Sequence, residues 1–284
     1  MAKKVFVGVG HGGSDPGAAA FGIKEADANL VMALSLKEEM ERHGVIVGIS
    51  RMKDEEDPLE EEIREANAFA PDLAVECHNN AGGGDGFEVF YQTNGYKTTS
   101  LALAQAIEAE IKKIGQNSRG CKTKLNSAGN DYFGWLRQLK CPAVLCEGFF
   151  VDSADRYIAD TEAEQKAFGV AYAKGVLARL GISYREPVNN QAAQEAINKL
   201  AQAGVINTPS YWQEHVGDLQ YLDQLIINIA GKVTASNSGA TTTAVEAINK
   251  LAQAGAISTP SYWMANVGAV LYLDKLLINA ANHL

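Results

Sequence analysis

A chain of 284 residues with 46% hydrophobic side chains has room for one sizeable domain and a smaller one, each with a packed core. Its formal net charge of −9 excludes nucleic acid as the main partner, because phosphate binding needs a basic face, and excludes simple electrostatic adhesion to an anionic surface. No run approaches the roughly 20 apolar residues that span a bilayer, which argues against membrane insertion.

The amino terminus, Met1-Ala2-Lys3-Lys4, leads into about six apolar residues without a small-residue cleavage site, so it reads as a first strand and not as a secretory signal. The expectation is a protein made in the cytoplasm that reaches any outside substrate only after release. The first strand, residues 4–10, ends at His11-Gly12-Gly13-Ser14-Asp15-Pro16-Gly17, a loop dense in turn residues. Leu30, Val31, Leu34, Leu36 and Met40 recur at helical spacing and predict a helix over residues 24–42, stopped by Gly44. Residues 45–49 read as a second strand. Asp57-Pro58 supplies a cap and first turn for a helix running to about residue 70. A short buried strand then starts at Leu73 and delivers His78, and the polar residues after it, ending in Gly82-Gly83-Gly84, read as a loop.

Residues 86–91 alternate in character and make an edge strand, the candidate for an antiparallel member of the sheet. A helix over residues 100–114 precedes an irregular stretch through Arg119 and Trp135. Pro142-Ala143-Val144-Leu145-Cys146-Glu147 is the last strand, and Asp152-Ser153 opens a helical region ending near Gly181. Strands alternating with helices imply an α/β domain over residues 1–182, with a mostly parallel twisted sheet and helices on both faces. The four cysteines, Cys77, Cys121, Cys141 and Cys146, form no C-x-x-C pair, and Cys77 and Cys146 read as reduced core thiols.

Residues 183–191, with Pro187 and two asparagines, read as a linker. The remainder, 192–284, reads as a small all-α domain of two tandem repeats, 192–233 and 243–284. The decapeptide beginning Glu195-Ala196-Ile197 returns at Glu246, and Thr208-Pro209-Ser210-Tyr211-Trp212 returns as Thr259-Pro260-Ser261-Tyr262-Trp263. About two thirds of the aligned positions are identical over roughly 38 residues, which marks a duplication. In each copy a first helix ends at a glycine, Thr-Pro starts a short second helix, and a third carries Leu222, Leu225, Ile226 and Ile229, or Leu273, Leu276, Leu277 and Ala280. Residues 234–243, rich in Ser, Thr, Asn and Gly, join the copies.

Only five histidines are present, and two of them, His11 and His78, stand at carboxyl ends of strands, where open α/β sheets place their ligands. Zinc catalysis needs about three protein ligands and one open position. His11 and His78 offer two nitrogens, and Glu25, at the start of the first helix, can reach back to the same crevice. Glu147, at the end of the last strand, is the fourth ionisable group. Each alone has an ordinary structural explanation; the four together point to a metal site.

Residues 4–181 resemble the zinc-dependent N-acetylmuramoyl-L-alanine amidases found in bacterial autolysins and phage endolysins. The matching residues come in the family's order: His11-Gly12-Gly13 with Asp15 and Gly17, Glu25 before a long helix, His78-Asn79-Asn80-Ala81, Gly86-Phe87-Glu88-Val89, Ser118-Arg119-Gly120, and Pro142 to Phe149 followed by Asp155. Cys77 departs from the aliphatic residue usual there, but alternation turns it away from His78. The resemblance implies that His11, Glu25 and His78 hold Zn²⁺ and that Glu147 is the catalytic carboxylate. The bond cut would be the amide between N-acetylmuramic acid and L-alanine of the stem peptide, so the partner is peptidoglycan. Asn80 and Arg119 are candidate substrate or oxyanion contacts, with a structural role equally compatible. The alternatives are a zinc carboxypeptidase or other metallo-amidohydrolase, and a non-catalytic wall-binding protein.

For the repeats, position favours cell-wall targeting. The Tyr211/Trp212 and Tyr262/Trp263 pairs would stack on sugars if exposed and would form the core of small helical units if not. Homo-oligomerisation through the repeats is a second use for them.

Overall fold

The computed structural model describes residues 2–185, 191–206, 243–257 and 259–266, with isolated positions 208, 209, 211, 212, 225, 229, 273, 276 and 280. Two compact units meet in sequence after Arg185.

The strands of the first unit are β1 (Lys4–Val9), β2 (Ala19–Ala20), β3 (Ile23–Lys24), β4 (Ile46–Ile49), β5 (Leu73–Asn80), β6 (Phe87–Tyr91), β7 (Ser118–Lys122) and β8 (Ala143–Phe150). Six of them form one sheet in the order β4-β1-β5-β8-β6-β7, while β2 and β3 make a separate hairpin. All pairings in the large sheet are parallel except β6 with β8. Strands β6 and β7 thus both run against the other four, and β6 is not the edge. The edge on that side is β7, which the sequence presents as irregular because Ser-Arg-Gly-Cys-Lys has no apolar run; an edge strand with one wet side does not need one. β5 also continues through His78 to Asn80, where the sequence reads as a loop, because its backbone keeps pairing with β8 up to Phe150.

The helices are α1 (Glu25–Arg42), α2 (Leu59–Phe69), α3 (Lys97–Lys113), α4 (Gly134–Gln138) and α5 (Glu162–Leu180), with a 3-10 turn at Ala154–Ile158. Strand alternation divides the core in two. Val5, Val7, Val75, Cys77, Val144 and Cys146 pack under Met32 and Leu36 of α1, Ile107 of α3, and Phe168 and Tyr172 of α5. Phe6, Ala74, Leu145 and Phe90 face the opposite way, under Ile63 and Ala66 of α2 and Trp135 and Leu136 of α4. Carried along the strands, that second face receives Glu76, His78, Glu147 and Glu88. Two ends of α5 are fixed by local chemistry: Thr161 and Glu164 form a reciprocal capping box, and Gly181 ends the helix at φ +74°. All four cysteines are free, and burial pushes the Cys77 and Cys146 thiols up, as inert core groups require.

In the second unit, α6 (Gln191–Gln202), α7 (Ala244–Gln253) and α8 (Pro260–Asn266) are described, with a second capping box between Thr243 and Glu246. Ile197, Leu200 and Trp212 from one sequence copy share a single buried cluster with Ile248, Leu251 and Trp263 from the other. A repeat too small to bury its own apolar face is stabilised in this way by its neighbour. Leu225, Ile229, Leu273, Leu276 and Ala280 are helical and buried. Leu222, Ile226, Leu277, His215, His283, residues 186–190 of the linker and the join between the copies at 234–242 lie outside the described residues.

Candidate active site

The loop after β1 brings His11 out of the sheet with a left-handed backbone, φ +64°. This costs a non-glycine residue roughly 1–2 kcal/mol, and such outliers are concentrated where a side chain must be aimed. The His11 ring is held on both sides: Nδ1 lies 2.8 Å from Asp15 Oδ2, and Nε2 lies 3.2 Å from Glu25 Oε1. Glu25 is the first residue of α1 and only 4% exposed. Its Oε2 accepts the Ala18 N–H at 2.9 Å, and its Oε1 accepts the Asn79 N–H at 3.0 Å. His78 arrives from β5 with Nδ1 2.9 Å from the same Oε1. The two imidazoles stand 4.9 Å apart and nearly perpendicular, at 84°. One ligand atom from each of His11, Glu25 and His78 falls within 4.8 Å of the others. The three residues singled out in the sequence are therefore assembled at one point.

Glu147 is the register partner of His78 on β8, so its side chain rises beside that ring on the same face of the sheet. Its Oε2 is buried without a hydrogen-bond partner among the described residues. Burial pushes its carboxyl up to about 7, against the opposing pull of His78. Glu25 goes the other way: burial would raise it, but hydrogen bonds from His11 and His78 outweigh burial and hold it well below the ordinary carboxylate range. Both rings respond in kind. The Glu25 carboxylate raises His11, and His78, which burial alone would lower, is raised by Glu25 and Glu76. Glu25, shared by the two rings, with Asp15 beside His11 and Glu76 beside His78, thus favours positive charge at this point.

Asn80 and Arg119 meet at a third carboxylate. Asn80 Nδ2 donates to Glu88 Oε1 at 2.9 Å, Arg119 Nε donates to Glu88 Oε2 at 2.8 Å, and Lys122 also pairs with Glu88. Glu88 is the register partner of Glu147 on β6, so this polar group borders the site. The Arg119 guanidinium lies 5.1 Å over the Phe150 ring. Asp155, part of the sequence pattern, is structural: it accepts the backbone N–H groups of Phe150 and Gly86 and so clamps the end of β8 to the start of β6.

Other residues of the site do not announce themselves in the sequence. Asn79 donates to Asn29 Oδ1 and accepts the Phe149 N–H, and Asn29 donates to the Gly10 carbonyl, which ties three strand ends to α1. Glu76 and Glu62, both 3% exposed, lie behind His78. A cleft of about 390 Å³ opens here, lined by Gly10, His11, Asp15, Glu62, Glu76 and His78 among others. The available signal was the two-residue spacing of Glu76 and His78 within one strand, which puts both on one face. His43 plays no part: Nδ1 donates to the Glu39 carbonyl, and Nε2 accepts the Arg185 N–H.

In the second unit, Trp212 and Trp263 are 3% and 4% exposed, so their rings are committed to packing and present no face to a sugar. Tyr211 and Tyr262 are half-buried against the same core. Among the described residues, no helix is long and apolar enough to cross a membrane.

A family model described as N-acetylmuramoyl-L-alanine amidase matches residues 5–178. The chain is similar to an endolysin of Bacillus phage SPP1, 38% identical over 162 residues, which covers 55% of this chain and 57% of the relative. It is similar to N-acetylmuramoyl-L-alanine amidase CwlM of Bacillus licheniformis, 36% identical over 155 residues, 54% of this chain and 58% of the relative. Among solved structures, Cwp6 from Clostridium difficile superposes with a TM-score of 0.61 at 31% identity, over 63% of this chain and 30% of that one. The matches thus span less than two thirds of the length of those relatives.

Proposed function

The chain belongs to the N-acetylmuramoyl-L-alanine amidase family, and on that premise we propose that its first unit hydrolyses the amide between N-acetylmuramic acid and L-alanine in peptidoglycan, with zinc held by His11, Glu25 and His78. The observation that carries this reading is the convergence of His11 Nε2 and His78 Nδ1 on Glu25 Oε1, at 3.2 and 2.9 Å, with the unpartnered Oε2 of Glu147 on the adjacent strand. Two imidazole nitrogens and one carboxylate oxygen fit zinc, which takes this donor set in hydrolases and keeps a further position open.

Bound zinc supplies a Lewis acid that polarises the scissile carbonyl and acidifies water. The chain's own groups do the rest. Glu147 takes the proton of the attacking water on its free oxygen and returns it to the departing L-alanine amine, for which a carboxyl near neutrality is suited. Asn79, through Asn29 and the Phe149 N–H, keeps β5, β8 and α1 in register while this happens. Asn80 and Arg119, anchored on Glu88, form the substrate-facing rim. The second unit targets the wall, and the enzyme meets its substrate after release from the cell that makes it, a reading supported by the phage endolysin relative.

The deciding experiment is digestion of purified Gram-positive walls with identification of the new termini. Freed amino-terminal L-alanine supports the proposal. A released carboxyl-terminal amino acid would instead make the enzyme a carboxypeptidase, and no cleavage by zinc-loaded protein would leave wall binding alone.

A further inference from the structure

His78 has a second carboxylate, on the side of the ring turned away from Glu25. Glu76, two residues back on β5, brings Oε1 to 3.4 Å from His78 Nε2, while Nδ1 faces Glu25 Oε1 at 2.9 Å. Glu76 is 3% exposed, and its other oxygen is buried with no hydrogen-bond partner among the described residues. Packing does not ask for a charge at this position. A buried carboxylate is costly to desolvate, and an apolar side chain of similar volume would fill the strand position at less expense.

The surroundings keep room for it. Gly8 is the register partner of Glu76 on β1, and a Cβ there would come within 2.7 Å of Glu62 Oε1 and 3.2 Å of Glu76 Cγ. Glu62, from α2, is held in place by the Val9 N–H, which donates to its Oε1 at 3.0 Å. Strands β1 and β5 and helix α2 thus leave a niche for two carboxyl groups behind the His78 ring.

We propose that Glu76 is a positioning residue: it accepts the Nε2–H of His78 and so fixes the tautomer that presents Nδ1 to the metal, with Glu62 packed behind it. The proposal rests on the reading of His11, Glu25 and His78 as zinc ligands. It is matched at the other histidine, where Asp15 holds His11 Nδ1 at 2.8 Å while Nε2 faces Glu25. Each ring therefore carries a carboxylate on the nitrogen that points away from the shared Glu25. Such outer partners orient a ligand imidazole and raise its basicity, and removing one typically costs about 10–100-fold in metal affinity. Asp15 is largely exposed and Glu76 is not, so water can replace the first more readily than the second.

The test compares the full chain with Glu76→Met, which keeps length and removes both oxygens, and Glu76→Gln, which keeps a neutral acceptor. Zinc affinity is measured by competition with a chromophoric chelator, and the His78 Nε2–H is followed by proton–nitrogen correlation in zinc-loaded protein with labelled histidine. Glu76→Met should lose about 10–100-fold in affinity, and its Nε2–H signal should move and exchange faster. Glu76→Gln should keep the signal and bind zinc between the two. Wild-type affinity and an unchanged Nε2–H in Glu76→Met would overturn the role of Glu76 while leaving the ligand set intact. If the methionine variant does not fold, unchanged zinc affinity in Glu76→Gln overturns it, because the proposal assigns part of the effect to charge. Wild-type protein that binds no zinc would remove the ligand reading itself, and this proposal with it.

Discussion

Gly10→Ala tests the site through one methyl group. Gly10 follows β1 directly beside the His78 ring, and its φ is not positive, so alanine can adopt the same backbone. The added Cβ would, however, sit 2.2 Å from both Cε1 and Nε2 of His78 and 2.7 Å from Cδ2. Non-bonded carbon contacts settle near about 3.5 Å, so the ring must retreat by roughly 1.3 Å, several times the ~0.2 Å tolerance of a metal–ligand distance. Nδ1 then leaves its 2.9 Å contact with Glu25 Oε1. Overpacking of this kind costs about 1–3 kcal/mol, and a 1 Å misplacement of a catalytic group costs on the order of 100-fold in rate. The expected result is a folded protein with a lower urea midpoint, zinc affinity reduced at least about tenfold, and wall hydrolysis reduced about 100-fold. Gly95→Ala, where a Cβ meets nothing within 4 Å, serves as the control. Wild-type zinc affinity and turnover in Gly10→Ala would refute the placement of His78 in the site.

Glu147→Gln should retain zinc and lose about 10²–10⁴-fold in turnover; a zinc-loaded variant at wild-type rate would remove Glu147 from the mechanism. In metal-free protein the same substitution has a pH signature. With its folded value near 7 against about 4.5 unfolded, Glu147 binds its proton more tightly when folded, so its contribution to stability falls as pH rises from 4.5 to 7. The linkage is worth roughly 3 kcal/mol, and urea titrations with chelator present should show Glu147→Gln gaining that much on wild type across the window; parallel pH profiles would contradict the burial argument. Chelation should abolish hydrolysis and zinc restore it, while His43→Ala, whose ring hydrogen-bonds to Glu39 and Arg185 and stacks on Tyr184, leaves zinc content unchanged. A truncation after Arg185 should fold, keep its zinc and cleave soluble muropeptides at close to the full rate, yet act slowly on intact walls because tethering is lost. Full-length protein that fails to sediment with any Gram-positive wall, with equal lysis by the truncated form, would turn the second unit into an oligomerisation device.

The sequence by itself determined the fold class and singled out His11, Glu25 and His78, which the structure brings together, since both rest on local patterns. Apolar runs leading to His11 and His78 define strands that carry these histidines toward one end, and helical spacing from Leu30 to Met40 places Glu25 at the start of the helix between them. The family motifs depend on the same short stretches, which is why the family was legible before any coordinates. Tertiary structure decided what depends on partners distant in the chain. β7 is a strand because β6 pairs with it, although Ser118 to Lys122 has no strand pattern of its own. Trp212 and Trp263 are core because two copies of a repeat bury them together, a matter of association that composition cannot settle. The buried carboxylates behind His78 come from β5 and α2, 14 positions apart, and only the parallel pairing of β1 with β5 sets Gly8 opposite Glu76 to make room for them. Local sequence encodes period and end signals, whereas the charge environment of a side chain is fixed by which strands lie next to its own.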